Sequence, residues 1–273
     1  MTLHDTPAEQ SLAAVHRSNQ KYYEQLAERR TFACGIAFTS PAFPDVDVGN
    51  HVREAIVPSG VGLADAVHEV EAYYAELGLT CYRWVPAAGQ SIEPLEAVLL
   101  ERGYRASRVQ TMILTRPCEI PVRSDVRILP ARAMRKAMRE VILSREGEPA
   151  ELAMWADADN ERLDDPNYDM FVALVGGRPA ATGTLFQVGE IGRIDDVCVV
   201  PDLRRQGIGL TMMAYLVAMS RRLALRYTVL EVDPANAAAI RLYERCGFEP
   251  GASYVQFVAS GAGSAGRSGT ARQ

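Results

Sequence analysis

The sequence predicts an α/β fold, a sheet flanked by helices, and three observations carry that expectation. Residues 194–210 run as a β-branched strand, a turn with two arginines and a Gly-x-Gly step into a long apolar helix. Residues 170–175 and 181–188 are apolar runs joined by Gly176-Gly177-Arg178-Pro179, the composition of a hairpin turn. From residue 125 to residue 258, segments of strand and helix character follow one another without a long interruption.

Thr6 begins the first helix as its N-cap, with Pro7 in the first turn and Glu9 three residues after the cap. Leu12, Val15, Tyr22 and Leu26 continue the pattern to about Arg29. Residues 32–38 have strand character, and 40–47, with Pro41 and Pro44, are irregular. Residues 51–57 predict a strand, and Gly60-Val61-Gly62-Leu63 opens a helix to about Leu77, with Leu63, Val67, Val70 and Tyr74 at helical spacing. Residues 80–85 return as a strand, 92–102 as a helix ended by Gly103, and 104–114 as one or two strands. Residues 115–123 contain Pro117 and Pro121 and form the expected linker. Beyond it come a strand over 125–129, helices over 131–144 and 148 to about 157, and a meander through 170–200. A helix over 207 to about 225, a strand over 227–232, a helix over 236–245 stopped by Gly247, and a strand over 254–258 complete the series. Residues 260–273 carry no large apolar side chain and are expected to be a disordered tail.

Composition narrows the function classes. A net charge of −5 argues against a partner bound through clustered cations, so no nucleic acid is expected. The five cysteines (Cys34, Cys81, Cys118, Cys198, Cys246) are odd in number, widely spaced and without a Cys-x-x-Cys pair, as for buried thiols in a reducing compartment. The four histidines (His4, His16, His51, His68) are scattered in the first quarter, so no metal site is expected, and a histidine base is excluded from the second half. There is no apolar signal core and no run of about 18 apolar residues; a cytoplasmic location without a membrane partner is expected.

A strand that feeds a helix through a glycine-containing turn leaves the first helical N–H groups unpaired, and the helix dipole favours an anion there. Gly207 and Gly209 allow close backbone approach to a phosphate, and Arg204 and Arg205 add cationic donors. The run Arg204-Arg205-Gln206-Gly207-Ile208-Gly209 is followed by Leu230-Glu231-Val232-Asp233-Pro234-Ala235-Asn236, then by Ala239 and Leu242-Tyr243-Glu244-Arg245-Cys246-Gly247-Phe248. Together, in this order, they resemble the GCN5-related N-acetyltransferase (GNAT) superfamily over about residues 123–258. The resemblance implies a mixed, mostly antiparallel sheet flanked by helices, with acetyl-CoA as the cofactor. It implies a pyrophosphate cradle of Arg204, Arg205, Gln206, Gly207, Ile208, Gly209 and Leu210, and backbone contacts from Val197, Cys198 and Val199 to the pantetheine arm. It also places Asn236 near that arm and makes Tyr243 the general acid for the leaving thiolate. A phenol titrating near ~10 suits a thiol of pKa ~8.5 chemically.

The amine proton has three candidate acceptors. Glu231 lies twelve residues before Tyr243, as does the base in the ribosomal-protein alanine acetyltransferase branch that the sequence resembles locally; it takes the proton or orients a water. Asp195 and Asp196 compete, and strand alternation sends one to each side of the sheet. Cys198 and Cys246 lie in apolar runs without a local activator, so direct transfer in a ternary complex is expected. Residues 148–165 hold seven carboxylates and Trp155 and read either as a lid that attracts a cationic amine or as a solvated loop.

The first half repeats the order of the second. Gly60-Val61-Gly62-Leu63 parallels Gly207-Ile208-Gly209-Leu210, and Gly103-Tyr104 parallels Gly247-Phe248, with first and last glycine separated by 43 and 40 positions. Val57 stands in place of Arg204 and Leu99 in place of Tyr243. The expected organisation is therefore a degenerate GNAT-like domain over 1–120, a catalytic domain over 121–259 and the tail. The expected activity is acetyl transfer to a primary amine of a small molecule, with a homodimer allowed. The alternatives are a protein N-terminal or lysine acetyltransferase and a non-catalytic acyl-CoA-binding regulator.

Overall fold

The structure is a computed structural model that describes residues 6–260. The expected tail, apart from Ser260, lies outside the described residues. The elements are α1 (Pro7–Glu24), β1 (Glu28–Phe32), β2 (Gly35–Thr39), β3 (His51–Ala55), α2 (Leu63–Glu76), β4 (Arg83–Pro86), α3 (Glu93–Glu101), β5 (Tyr104–Leu114), β6 (Val126–Pro130), α4 (Arg135–Leu143), α5 (Pro149–Arg162), β7 (Tyr168–Val175), β8 (Arg178–Val188), β9 (Ile191–Val199), α6 (Ile208–Arg222), β10 (Tyr227–Val232), α7 (Ala237–Arg245) and β11 (Phe248–Ala259).

The chain divides into two units, and their limits differ from a boundary at residue 120. The first unit holds residues 6–22 and 109–253, the second 23–108 and 254–260. In the first, the strand order is β11, β5, β10, β9, β8, β7, β6, using the opening part of β11 and the closing part of β5. In the second it is β1, β2, β3, β4 and the closing part of β11. Each sheet thus incorporates the end of a strand from the other half of the sequence. The physical reason is register: Val229 to Val232 of β10 pair antiparallel with Ile113 to Gln110 of β5, whereas Phe257 of β11 pairs with Trp84 of β4.

Helix α1 opens as its sequence requires. The Glu9 amide donates to Thr6 Oγ1 (3.3 Å) and the Thr6 amide donates to Glu9 Oε2 (2.8 Å), a reciprocal cap. The helix stops at Glu24, short of Arg29, because residues 28–39 form a β1–β2 hairpin where a single strand over 32–38 is expected. Its Ala14 and Val15 pack on Ile113, Ile191, Tyr227 and Val229. At Gly251 the approach is so close that an added Cβ would lie 1.9 Å from Ser11 Oγ.

On the opposite face of the first sheet, α6 and α7 bury Met212, Leu216, Ala239, Leu242 and Tyr243 against Met112, Leu185, Ile194, Val197, Val199, Leu230 and Val232. The second unit has its own core, with Val67, Val70 and Tyr74 of α2 and Leu95 and Leu99 of α3 packed on Val52, Trp84 and Phe257. Among the described residues, no helix is long and apolar enough to cross a membrane.

Candidate active site

Strand β9 positions Val197, Cys198 and Val199 together with Asp195 and Asp196. Its parallel pairing with β10 is confined to Ile191–Tyr227, Gly192–Thr228 and Arg193–Val229, while the rest of β10 pairs with β5. From Ile194 onward β9 and β10 part, leaving the β10-facing backbone of Val197, Cys198 and Val199 without a strand partner. On its other edge β9 pairs with β8, Thr184 with Asp195 and Thr182 with Cys198, so Asp196 and Val197 together oppose Gly183. That is a β-bulge, and Asp196 takes φ +51°, a left-handed conformation aspartate tolerates better than most residues.

The bulge overturns the simple alternation expected for Asp195 and Asp196. Ile194 shares the α6 face with Val197 and Val199, not with residues 196 and 198. Both aspartates instead lie around Tyr22 of α1. The Tyr22 hydroxyl donates to Asp196 Oδ2 at 3.3 Å, and Asp195 pairs at 2.7 Å with Arg193, whose guanidinium carbon is 4.9 Å from the Tyr22 ring centre.

The turn after β9 is built for an anion. Arg205 has φ +63°, and Gly207 has φ +79° as the residue preceding α6. No side chain caps α6; its first intrahelical bond here is from Thr211 N–H to the Gly207 carbonyl, which leaves the amides of Ile208, Gly209 and Leu210 ahead of the ladder. A cavity of about 300 Å³ opens in front of them, lined by Arg204, Arg205, Gly207, Gly209 and Leu210 and by Arg241 and Arg245 of α7. The last two arginines carry no sequence signal of their own; they reach the cavity only because α7 returns beside α6. Arg204 Nε donates to the Val199 carbonyl (3.3 Å), tying turn to strand, and Arg123 Nη1 donates to the Gln206 carbonyl.

Asn236 caps α7, its Oδ1 accepting from the Ala239 amide at 3.1 Å. Tyr243 is buried on the inner side of the same helix, edge-on to Phe248 at 6.2 Å. It does not line the anion cavity, which is faced by Ala238, Arg241, Leu242 and Arg245 instead. Glu231 points to the α1 side and is buried; its Oε2 accepts from Arg193 Nη2 at 2.9 Å and its Oε1 from Asn19 Nδ2 at 3.4 Å.

A second set of charges, unsuspected from sequence, adjoins these. Arg162 of α5 is fully buried and donates through Nη1 to the Tyr22 hydroxyl (3.0 Å) and to Asp159 Oδ1 (3.2 Å), which also accepts from the Tyr168 hydroxyl (3.1 Å). Arg145, just past α4, lies 3.7 Å from Asp196 Oδ1 and also faces the Cys198 thiol. Burial drives the Asp195 and Asp196 carboxyls above the usual carboxylate range, with Asp159 adding to the shift of Asp196. Burial likewise raises the Tyr22 phenol and the Cys246 thiol. The acidic segment after residue 148 is helix through Arg162, past the expected end near Asp157; outward Asp157 and Asp164 pair with Arg139 and Arg135, while Trp155 and Asp159 turn inward.

A parted strand pair beside a helix start preceded by Gly207 is the arrangement that the resemblance of the motifs implies. Residues 135–248 match the family model of the acetyltransferase (GNAT) family. Over 94 residues the chain is 30% identical to the ribosomal protein bS18 alanine N-acetyltransferase of Escherichia coli; the match covers 34% of this chain and 64% of that protein. In fold, a GCN5-related N-acetyltransferase from Kribbella flavida is similar with a TM-score of 0.63 at 17% identity, covering 92% of this chain and 96% of that one. A conserved protein of unknown function from Staphylococcus epidermidis is similar with a TM-score of 0.68 at 15% identity, covering 85% and 94%.

Proposed function

We propose that the protein transfers an acetyl group from acetyl-CoA to a primary amine by direct attack in a ternary complex. The observation that carries this reading is the parting of β9 from β10 immediately before the uncapped start of α6, because it offers a peptide-like arm and a pyrophosphate adjacent seats. When bound, acetyl-CoA supplies the activated thioester carbonyl. The amides of Ile208, Gly209 and Leu210 and the guanidiniums of Arg204 and Arg205 hold the phosphates, with Gln206 and Gly207 shaping the turn and Arg241 and Arg245 adding charge. Backbone groups of Val197, Cys198 and Val199 hold the arm, with Asn236 nearby. Glu231, fixed by Arg193 and Asn19, takes the amine proton directly or through a water, and Tyr243 protonates the departing thiolate.

A small-molecule acceptor is the first choice, and an acidic chain suits a cationic one. The local identity to an enzyme named for a ribosomal-protein alanine supports a protein N-terminus as the second. The second unit reads as a disarmed copy. Its β3 carries a matching bulge with Glu54 at φ +51°, yet β3 and β4 stay paired as far as Ala55 and Pro86, which leaves no gap for a pantetheine arm. Leu99, in the tyrosine's place, is core, and Val57, in the arginine's place, is exposed. All five cysteines are free, in keeping with the proposed cytoplasmic location.

Incubation with acetyl-CoA and a panel of alkylamines, polyamines and alanine-starting peptides, followed by thiol release, tests the reading. Amine-dependent thiol release is expected. Tight acetyl-CoA binding without transfer to any member would favour the non-catalytic alternative, and absence of binding would defeat both.

A further inference from the structure

The second unit, although it offers no gap for a coenzyme arm, keeps a buried polar group of its own. Its β3 repeats the bulge of β9: Glu54 takes φ +51° as Asp196 does, and Val52 and Ala55 face the core of α2 and α3 as Ile194 and Val197 face that of α6. Counted back from the bulge, His51 and Arg53 stand where β9 has Arg193 and Asp195, on the sheet face turned away from those helices. An arginine thus takes the place of an acid. Arg53 is 4% exposed; its Nη1 donates to the Tyr23 hydroxyl at 3.4 Å, its Nη2 has no hydrogen-bond partner, and it forms no ion pair with a carboxylate among the described residues. A guanidinium so placed is costly unless an anion pairs with it. His51 is completely buried and stacked on Phe38 at 5.1 Å, and neither of its ring nitrogens has a hydrogen-bond partner; the backbone of Asp47 and Val48 lies near the ring, outside hydrogen-bond geometry. Burial and the guanidiniums of Arg83 and Arg53 hold the imidazole well below the usual histidine range, so it is neutral and has one N–H to donate. Arg83 of β4 pairs with Asp47 at 3.2 Å and donates to Gln256 at 3.4 Å, which engages the acid of this group. The loop over residues 40–50 that carries Asp47 is pinned by Asn50, whose Oδ1 accepts from the Ser40 amide (2.9 Å) and whose Nδ2 donates to the carbonyls of Phe43 (2.8 Å) and Val46 (3.1 Å). Asp47 keeps 19% of its side chain exposed beside Arg83, so solvent reaches the group from that edge.

We propose that the second unit binds a carboxylate here, with Arg53 Nη2 and the His51 ring N–H as its donors and Arg83 as the neighbouring positive charge. Two observations carry the assignment: an arginine without an acid and an imidazole without a partner share one buried sheet face. A carboxylate fits in charge, because one negative charge offsets one guanidinium, whereas a phosphate dianion overshoots. It fits in shape as well, because its two oxygens accept one donor each. The donors lie below the surface, so the ligand is a small acid or one that enters end-on, carboxylate first. The unit that lost its coenzyme gap is therefore a binding module for an acid, and this role does not depend on acetyl transfer by the first unit.

Nitrogen-15 NMR of the histidine rings in the full chain tests this. The sequence has four histidines, so the chain carrying His4→Gln, His16→Gln and His68→Gln retains His51 alone and identifies its signals. At pH 7, sodium acetate should move those signals along a saturating curve, and sodium chloride of equal ionic strength should not. An equal response to the two salts, or no response to either, overturns the seat. Sodium phosphate should bind at least about 10-fold more weakly than acetate, and phosphate binding as tight as acetate overturns the choice of a carboxylate. Arg53→Lys keeps the charge and removes the planar fork, so the acetate midpoint should rise by about 10-fold. An unchanged midpoint removes Arg53 as the holder. Should Arg53→Lys not fold, the comparison of salts on the unaltered chain decides the proposal. A chain that transfers no acetyl group to any amine of the panel still gives this result, so the two readings fail separately.

Discussion

Tyr243 holds the thiolate end of the proposed proton path and Asp196 is a buried carboxyl beside the Tyr22 hydroxyl, and each makes a separate prediction. Tyr243→Phe keeps the edge contact with Phe248 and removes only the proton donor. Turnover should fall by at least ~10-fold, with acetyl-CoA affinity nearly unchanged in a calorimetric titration. Asp196→Asn probes the buried carboxyl. Burial raises the carboxyl in the folded state, so the folded protein binds this proton more readily than the unfolded chain. Its contribution to stability is therefore complete below the unfolded value and fades as pH rises through the folded one. The Tm of Asp196→Asn relative to the unaltered chain should thus improve between pH 4.5 and pH 8, and a constant difference would refute the raised carboxyl. At this scale the phosphate-binding residues are legible in the sequence because they are contiguous, with the glycine and arginine chemistry of a single turn. Arg193 and Arg162 are not, since their partners Asn19 and Tyr22 stand 174 and 140 residues away. The bulge at Asp196 is hidden for another reason: an adjacent aspartate pair in a strand does not say which residue leaves the ladder.

Among the elements, α6 and α1 do the positioning. Gly207→Glu forces a side chain into the left-handed φ of +79° and places a carboxylate before the helix start, where like charge repels phosphate. Acetyl-CoA binding should be lost in calorimetry while the thermal transition remains. For α1 the vulnerable point is Gly251, where a methyl group has no room beside Ser11 and Thr111. Gly251→Ala should push α1 from the sheet at a cost of about 1–3 kcal/mol, read as a lower Tm. Because Asn19, which holds Glu231, travels with α1, the amine KM should rise as well. The helices are legible from caps and periodicity, Thr6 and Glu9 being the plainest case. The β1–β2 hairpin is not, because the exposed run Glu28 to Thr31 has the polarity of a helix end. Nor is the full length of β11, whose residues 248–253 are glycine- and proline-interrupted.

For the molecule as a whole, the order of elements reveals both the α/β class and the paired organisation of the sequence, but it cannot reveal which sheet a strand end joins. A chain begun at residue 121 would lack both α1 and residues 109–114, the neighbours of β10 in the first unit. Such a fragment should show no cooperative thermal transition by circular dichroism. A sharp melt with bound acetyl-CoA would contradict the division of the chain. The shared strands also impose an order on synthesis. The second unit draws most of its residues from the first half of the chain, yet its β4 waits for Phe257 and Val258. A nascent chain cannot close that sheet until almost all of the described sequence has left the ribosome, so the unit that begins to emerge early is among the last parts to be finished.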